Sequence, residues 1–172
     1  MSDKVRIAVV GANGAFGMKH LDGLMEIPDA EVTVVSATSQ EKADGVAGKY
    51  GVANAVVGFE AVLERDDVDA VILATPTGLH ASQTRAALAA GKHVQVEIPL
   101  ADSLAEAEAT LAAVEASDRV AMVGHTRRFN PSHQFVHNRI VAGEFNVQQM
   151  DVQTYFFRRT NTNAKGEPRS WT

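Results

Sequence analysis

The chain has 172 residues, 45% hydrophobic and 22% charged, with a formal net charge of −5 and no cysteine. That length supports one good core and part of another domain, and the lack of cysteine excludes a disulfide framework, a thiolate nucleophile and a thiolate metal site. No apolar run approaches transmembrane length and the N-terminus lacks a signal-peptide pattern, so a cytoplasmic protein with no membrane partner and no metal is expected. The charge is uneven: residues 1–118 hold 8 Lys/Arg against 18 Asp/Glu, residues 119–172 hold 8 against 3. A basic C-terminal part suits a small anionic ligand, or else faces an acidic surface elsewhere in the protein. There is no strongly basic stripe or nucleic-acid motif, so nucleic acid is not an expected partner.

The segment Lys4 to Glu26 organises the rest. Val5, Ile7, Ala8, Val9 and Val10 form a near-continuous apolar run, as a strand does when both faces are buried in a parallel sheet. Gly11-Ala12-Asn13-Gly14-Ala15-Phe16-Gly17 follows, and then Phe16, His20, Leu21, Leu24 and Met25 recur at helical spacing. A buried strand, a tight glycine turn and a helix make the setting in which a dinucleotide's pyrophosphate meets a helix N-terminus. The spacing is G-x-x-G-x-x-G, so the first position of the stricter G-x-G-x-x-G falls on Ala12. A merely structural turn is the alternative reading.

Further along, Glu31–Ser36 predicts a strand, rich in β-branched residues. At its end an NAD-preferring domain places an acid for the ribose 2′-hydroxyl. Here stand Ser36, Ala37, Thr38 and Ser39, with no acid until Glu41 and with Lys42 nearby. Those hydroxyls suit a 2′-phosphate, so NADP is the expected cofactor and NAD the alternative; Thr38 or Ser39 equally caps the next helix. Helix is predicted over Gln40–Tyr50, stopped at Gly51, strand over Ala53–Val57, and a helical turn over Phe59–Glu64. Ala70–Ala74 reads as a buried strand closed by Thr75-Pro76-Thr77, and Leu79–Ala90 as a helix stopped at Gly91. His93–Val96 and Val120–Val123 are strands around a helix over Ser103–Ala116, whose Ser103 and Glu106 form a capping box.

This alternation predicts an α/β fold with a doubly wound parallel sheet, the Rossmann dinucleotide-binding fold, over residues 1–125. Ligands of such sheets bind beyond the carboxyl ends of the strands: Gly11–Gly17, Ser36–Ser39, Thr75–Thr77, Glu97–Pro99 and Gly124–Arg128. From Asn130 the pattern changes. Pro131–Ala142 reads as a helix ended by Gly143, and Val147–Arg159 alternates apolar and polar residues like a half-exposed strand. Residues 126–172 are thus expected to be the first helix and strand of an incomplete α+β second domain, the sequence ending before a partner strand.

Thr75-Pro76-Thr77, His80, Gly91-Lys92-His93-Val94 and Glu97-Ile98-Pro99 together resemble the N-terminal half of the Gfo/Idh/MocA oxidoreductases. The resemblance covers the whole chain. It implies NAD(P) as cofactor, a small-molecule substrate and a homo-oligomeric full-length form. Residues 93–102, 122–134 and 148–159 resemble most closely a branch that oxidises the cyclic hemiacetal of a carboxylated muconic semialdehyde to 2-pyrone-4,6-dicarboxylate, a step of protocatechuate degradation. Most of the family has Glu-Lys-Pro where this chain has Glu97-Ile98-Pro99, so a lysine's acid/base or polarising role is absent here.

By this resemblance the cofactor-binding residues are Gly11, Ala12, Gly14, Ala15, Phe16, Gly17, Thr38, Ser39, Thr75, Pro76, Thr77, His80 and Glu97. Glu97 and His125 are the catalytic candidates. Arg127, Arg128, Arg158, Arg159 and Tyr155 are the substrate-binding candidates, the arginines suiting a polycarboxylate. Each has a plainer reading: His125 caps a strand end, His80 packs in a helix turn, Glu97 holds the Pro99 turn, and the arginines form a solvated basic face. Two other functions compete with the dehydrogenase: a non-catalytic dinucleotide-binding module ending at Thr172, and an interaction protein whose strand at 147–159 pairs with another subunit.

Overall fold

The computed structural model describes residues 4–153. The chain divides into two compact units, residues 1–124 and 125–172.

The first unit is built on β1 (Val5–Val10), β2 (Ala30–Ala37), β3 (Asn54–Val57), β4 (Ala70–Leu73), β5 (His93–Val96) and β6 (Ala121–Val123). They form one sheet in the order β3-β2-β1-β4-β5-β6, every pair parallel. Between them run α1 (Ala15–Leu24), α2 (Gln40–Tyr50), α3 (Glu60–Leu63), α4 (Thr77–Ala89) and α5 (Leu104–Glu115). Each crossover returns the chain to the same edge, so all six strands end on one side. This is the doubly wound Rossmann arrangement, with its order reversing between β1 and β4.

Alternate residues of the central strands feed two cores. Ala8, Val10, Val34, Val71, Leu73, Val94 and Val96 pack on the face shared with Val62 of α3 and Ala87 and Leu88 of α4. Ile7, Val9, Val32, Val35 and Ile72 pack on the face shared with Leu21 of α1 and Val46 and Ala47 of α2. Burial on both faces is why these strands read as apolar runs rather than as alternation. The helix ends follow local chemistry. Ser39 and Ser103 cap α2 and α5, accepting from the amides of Lys42 and Glu106, and Gly51 stops α2 at φ 68°. At the amino edge of the sheet, Arg6 Nη2 and Asp69 Oδ1 pair at 2.5 Å, and Asp69 Oδ2 accepts from the Arg6 amide and Nε. Those bonds hold the Asp69 carboxyl down to about 2.

Two expectations for this unit need correction. Phe16 and Met25 do not face the core; they are 60% and 47% exposed. The buried stripe of α1 runs through Gly17 and Leu21, and Phe16, one residue earlier, is turned about 100° away. Helix α4 starts at Thr77, not Leu79, because Pro76 in an extended conformation serves as its N-cap.

The second unit opens with a 3-10 turn over Thr126–Phe129 and α6 over Pro131–Val141. Asn130 caps α6 by accepting from the Ser132 amide at 2.9 Å, and Pro131 occupies the first turn, where its missing N–H costs nothing. Arg139 lies over the rings of Phe135 and Phe145. No described residue of α6 is buried. The expected strand over 147–159 is not formed across residues 147–153. Period-two alternation marks a strand only where a neighbour completes the ladder, and no described residue pairs with this stretch. Residues 154–159 lie outside the described part.

Candidate functional site

The turn after β1 is fixed by its neighbours. The amides of Gly11 and Ala12 both donate to the Ser36 carbonyl at the end of β2, at 3.0 Å, and Gly14 donates back to Gly11 at 2.9 Å. Gly11 has φ 77°, and a Cβ on it would strike the carbonyl of Ala74 after β4. A Cβ on Gly17 would strike the Gly11 carbonyl and sit 2.8 Å from the Ala12 Cα. These two glycines are therefore required by the fold itself. Gly14 differs: it is extended, at φ −76°, and its Cβ would meet only the Gly11 carbonyl at 3.2 Å and the Ala74 carbonyl at 4.0 Å. The space it leaves is free for a ligand. No side chain caps α1, whose first-turn amides at Ala15, Phe16 and Gly17 have no acceptor within the helix. Backbone donors, the positive end of the helix dipole and a missing Cβ fit a pyrophosphate. Ala12 is fully buried and contributes backbone alone, while Phe16 is exposed beside the turn with Lys19 Nζ 5.7 Å from its ring.

The other strand ends line up along the same edge. Near the end of β2, Ser36 is buried and donates to the Gly58 carbonyl at 2.6 Å, so its hydroxyl is committed inward. Exposed Thr38 accepts from Lys42 Nζ at 3.4 Å, and Ser39 caps α2. After β4, the Thr75 hydroxyl donates to Gln83 Oε1 at 2.6 Å. His80, on α4, is only 2% exposed. Its Nδ1 lies 2.7 Å from the Pro99 carbonyl oxygen and its Nε2 2.8 Å from the Thr75 carbonyl oxygen. Carbonyls only accept, so whichever ring nitrogen carries the proton donates to the carbonyl it faces, as the tautomer dictates. The imidazole thus pins the ends of β4 and β5 together from inside and offers no face to a ligand. After β5, Glu97 is 9% exposed and bonds His20 Nε2 at 2.7 Å. Ile98, beside it, is 50% exposed and carries no acid/base group.

In the second unit, His125 is exposed at the start of the 3-10 turn, and Arg127 and Arg128 are exposed upon it. Both arginines border an open cleft of about 1010 Å³ with His133, His137 and Met150. All of the cleft's lining lies within residues 127–150. Tyr155, Arg158 and Arg159 lie outside the described residues.

The sequence pattern of the oxidoreductase family with an NAD-binding Rossmann fold matches residues 5–125. The chain belongs to this family. A second pattern, that of bacterial oxidoreductase C-terminal regions, matches residues 131–172. The chain is 61% identical over 168 residues to a 4-carboxy-2-hydroxymuconate-6-semialdehyde dehydrogenase of Sphingobium sp. (strain NBRC 103272 / SYK-6), covering 98% of this chain and 53% of that one. It is 35% identical to a scyllo-inositol 2-dehydrogenase (NAD(+)) of Bacillus subtilis (strain 168), covering 84% and 42%. Among solved structures, a 3-ketoreductase from Actinomadura kijaniata in complex with TDP-benzene and NADP superposes with a TM-score of 0.75 at 32% identity, over 82% of this chain and 44% of that one. A scyllo-inositol dehydrogenase from Lactobacillus casei with bound NAD(H) and scyllo-inositol gives 0.77 at 26% identity, over 83% and 42%. The chain spans about half the length of the curated relatives it matches.

For a member of this oxidoreductase family, sequence reasoning missed one residue at the strand edge. His20 reads in sequence as part of the apolar face of α1. In the structure its side chain, 24% exposed, is the hydrogen-bond partner of Glu97, 77 residues away. A polar residue on an otherwise apolar helical stripe, one turn past the glycines, was the available signal.

Proposed function

We propose that this chain is the cofactor-binding part of an NADP-dependent dehydrogenase that oxidises the cyclic hemiacetal of 4-carboxy-2-hydroxymuconate semialdehyde to 2-pyrone-4,6-dicarboxylate. The observation that carries the substrate is the 61% identity to the Sphingobium dehydrogenase across nearly the whole chain. The glycine turn supports the cofactor: it leaves a Cβ-free opening at Gly14 against the uncapped start of α1. The lack of an acid at the end of β2, with Thr38, Ser39 and Lys42 there instead, supports NADP over NAD. Thr75, Pro76, Thr77 and Glu97 are proposed to border the nicotinamide half, and His80 to hold two of their turns in place.

The reaction removes a hydride from the hemiacetal carbon and a proton from its hydroxyl, leaving the lactone carbonyl. A nicotinamide held beside Thr75, Pro76, Thr77 and Glu97 would supply the hydride acceptor. His125 is proposed to take the proton, since Ile98 cannot. Arg127 and Arg128, with Arg158, Arg159 and Tyr155, are proposed to pair with the substrate's carboxylates. A homo-oligomer of the full-length protein and a cytoplasmic location belong to the same reading; among the described residues no helix is long and apolar enough to cross a membrane.

Titration of the purified chain with NADPH, read by nicotinamide fluorescence, tests the cofactor assignment. Saturable binding, tighter than that of NADH, is expected; no binding overturns it. NADP-dependent oxidation of the hemiacetal, followed by NADPH absorbance in a protein of the relatives' length carrying these residues, tests the substrate. Cofactor binding without turnover of this hemiacetal overturns the substrate while leaving the cofactor half standing.

A further inference from the structure

We propose that His20 is a positioning residue that holds Glu97 in the orientation needed at the nicotinamide ribose, coupling the phosphate-binding helix to the end of β5. The inference rests on the cofactor reading above and goes beyond it, because His20 belongs to no part of the glycine turn.

The geometry is a built strut. His20 Nε2 and Glu97 Oε1 lie 2.7 Å apart, with side chains 24% and 12% exposed. A charge-assisted bond of that length, mostly shielded from water, holds its partners more firmly than an exposed ion pair does. The slot for the carboxylate is shaped on its other side by Gly124, after β6. A Cβ there would sit 3.1 Å from Glu97 Oε1 and 2.7 Å from Gln95 Nε2. The backbone of Glu97 is fixed as well, its amide donating to the Leu73 carbonyl at 3.1 Å. One carboxylate oxygen is thus engaged and the strand beneath it is locked. Among the described residues the hydrogen bond of this carboxylate runs through Oε1, which leaves Oε2 to accept from a ligand.

Topology says which part of a dinucleotide that oxygen meets. The pyrophosphate sits at the start of α1 and the adenosine ribose at the end of β2. The nicotinamide half therefore extends the other way across the order reversal, towards β4 and β5. A carboxylate at the end of β5 reaches a ribose hydroxyl there. His20 stands on the same helix whose first turn holds the phosphates, so one rigid element sets both contacts.

The test uses the whole 172-residue chain with two probes, NADPH and 2′-phospho-ADP-ribose, which lacks the nicotinamide. His20→Ala is expected to weaken NADPH about tenfold, the scale of one charge-assisted hydrogen bond, and to leave 2′-phospho-ADP-ribose within about twofold of wild type. His20→Gln, whose amide reaches with one N–H, is expected to restore most of the NADPH affinity. In a Glu97→Ala background, His20→Ala is expected to add nothing further. Equal weakening of both probes, no weakening of either, or full additivity with Glu97→Ala overturns the proposal and leaves His20 as a strut of the fold. If wild type binds neither probe, the cofactor reading falls and this inference with it, an outcome distinct from the other three.

Discussion

His80 Nδ1 lies 2.7 Å from the carbonyl oxygen of Pro99, across 19 residues of chain. The same ring reaches the Thr75 carbonyl through Nε2. One buried side chain on α4 thereby sets the spacing between two strand ends that the sequence alone leaves independent. The imidazole brings a ring N–H to these carbonyls where strands have stopped and ladders no longer supply donors.

Replacing His80 with alanine should therefore destabilise the first unit by about 3 kcal/mol, from the lost hydrogen bonding of the ring and the cavity left behind. Urea unfolding of wild type and variant measures this. NADPH affinity should fall too, because the turns at Thr75–Thr77 and Glu97–Pro99 are no longer held in register. His80→Gln, able to serve one carbonyl, should lie between the two. A His80→Ala protein as stable as wild type would mean that the two carbonyls find other donors.

Gly14 and Gly17 of the turn should separate by phenotype. Gly17→Ala forces a Cβ into the backbone of Gly11 and Ala12, which cannot yield as a flexible side chain would. A loss of about 1–3 kcal/mol in unfolding free energy is expected. A Cβ at Gly14 meets only one close atom, at 3.2 Å, and the backbone angles there suit any residue, so Gly14→Val is accommodated far more easily. It should unfold near the wild-type midpoint while losing at least about tenfold in NADPH affinity, since its branch fills the phosphate opening. Unchanged NADPH affinity in Gly14→Val would make the turn purely structural.

What could be read from the sequence followed from local chemistry. Ser39 and Ser103 announced two helix starts, Gly51 and Gly143 two helix ends, and the apolar runs at Val5–Val10 and Ala70–Leu73 two doubly buried strands. Features that depend on distant pairing were not legible. The His20 bond to Glu97 spans 77 residues and leaves no periodic trace. The inward commitment of Ser36 depends on Gly58, which only folding brings near. At 147–153 the alternation was correctly seen, but it is a property of side chains, whereas a strand is a property of backbone pairing. Phe16 fits a helical period only loosely, and the buried stripe of α1 lies one residue on, through Gly17 and Leu21.

At the opposite edge of the sheet, Asp69 predicts a pH dependence. Hydrogen bonding from the Arg6 side chain, chiefly, lowers its carboxyl to about 2, below the unfolded value of about 3.9. A depressed carboxylate stabilises the fold fully above the unfolded value and loses that contribution as pH falls through the folded one. The side chains of Arg6 and Asp69 are 40% and 36% exposed, so solvent screening limits the contribution. Asp69→Asn should cost about 1 kcal/mol at neutral pH, and the gap to wild type should close as pH falls towards about 2. Urea midpoints of both proteins across that range measure it; a constant gap would assign the cost to lost packing instead.

Lys42 should decide between the two nicotinamide cofactors. It stands one helical turn beyond Thr38, with Nζ 3.4 Å from the threonine hydroxyl, and both are exposed. No acid precedes Glu41 on this turn to repel a 2′-phosphate or to hold a 2′-hydroxyl. Lys42→Ala should weaken NADPH about tenfold, the scale of one charge-assisted hydrogen bond, and leave NADH nearly unchanged. Because the lysine's partner is a phosphate near the surface, added salt should shrink the wild-type preference and leave the variant's ratio flat. Thr38→Asp places a carboxylate where it would accept from a free 2′-hydroxyl, and should reverse the order towards NADH. Dissociation constants for both cofactors with the three proteins provide the measurement. If Lys42→Ala weakens NADPH and NADH equally, this turn does not read the 2′-phosphate, and the preference for NADP loses its structural support.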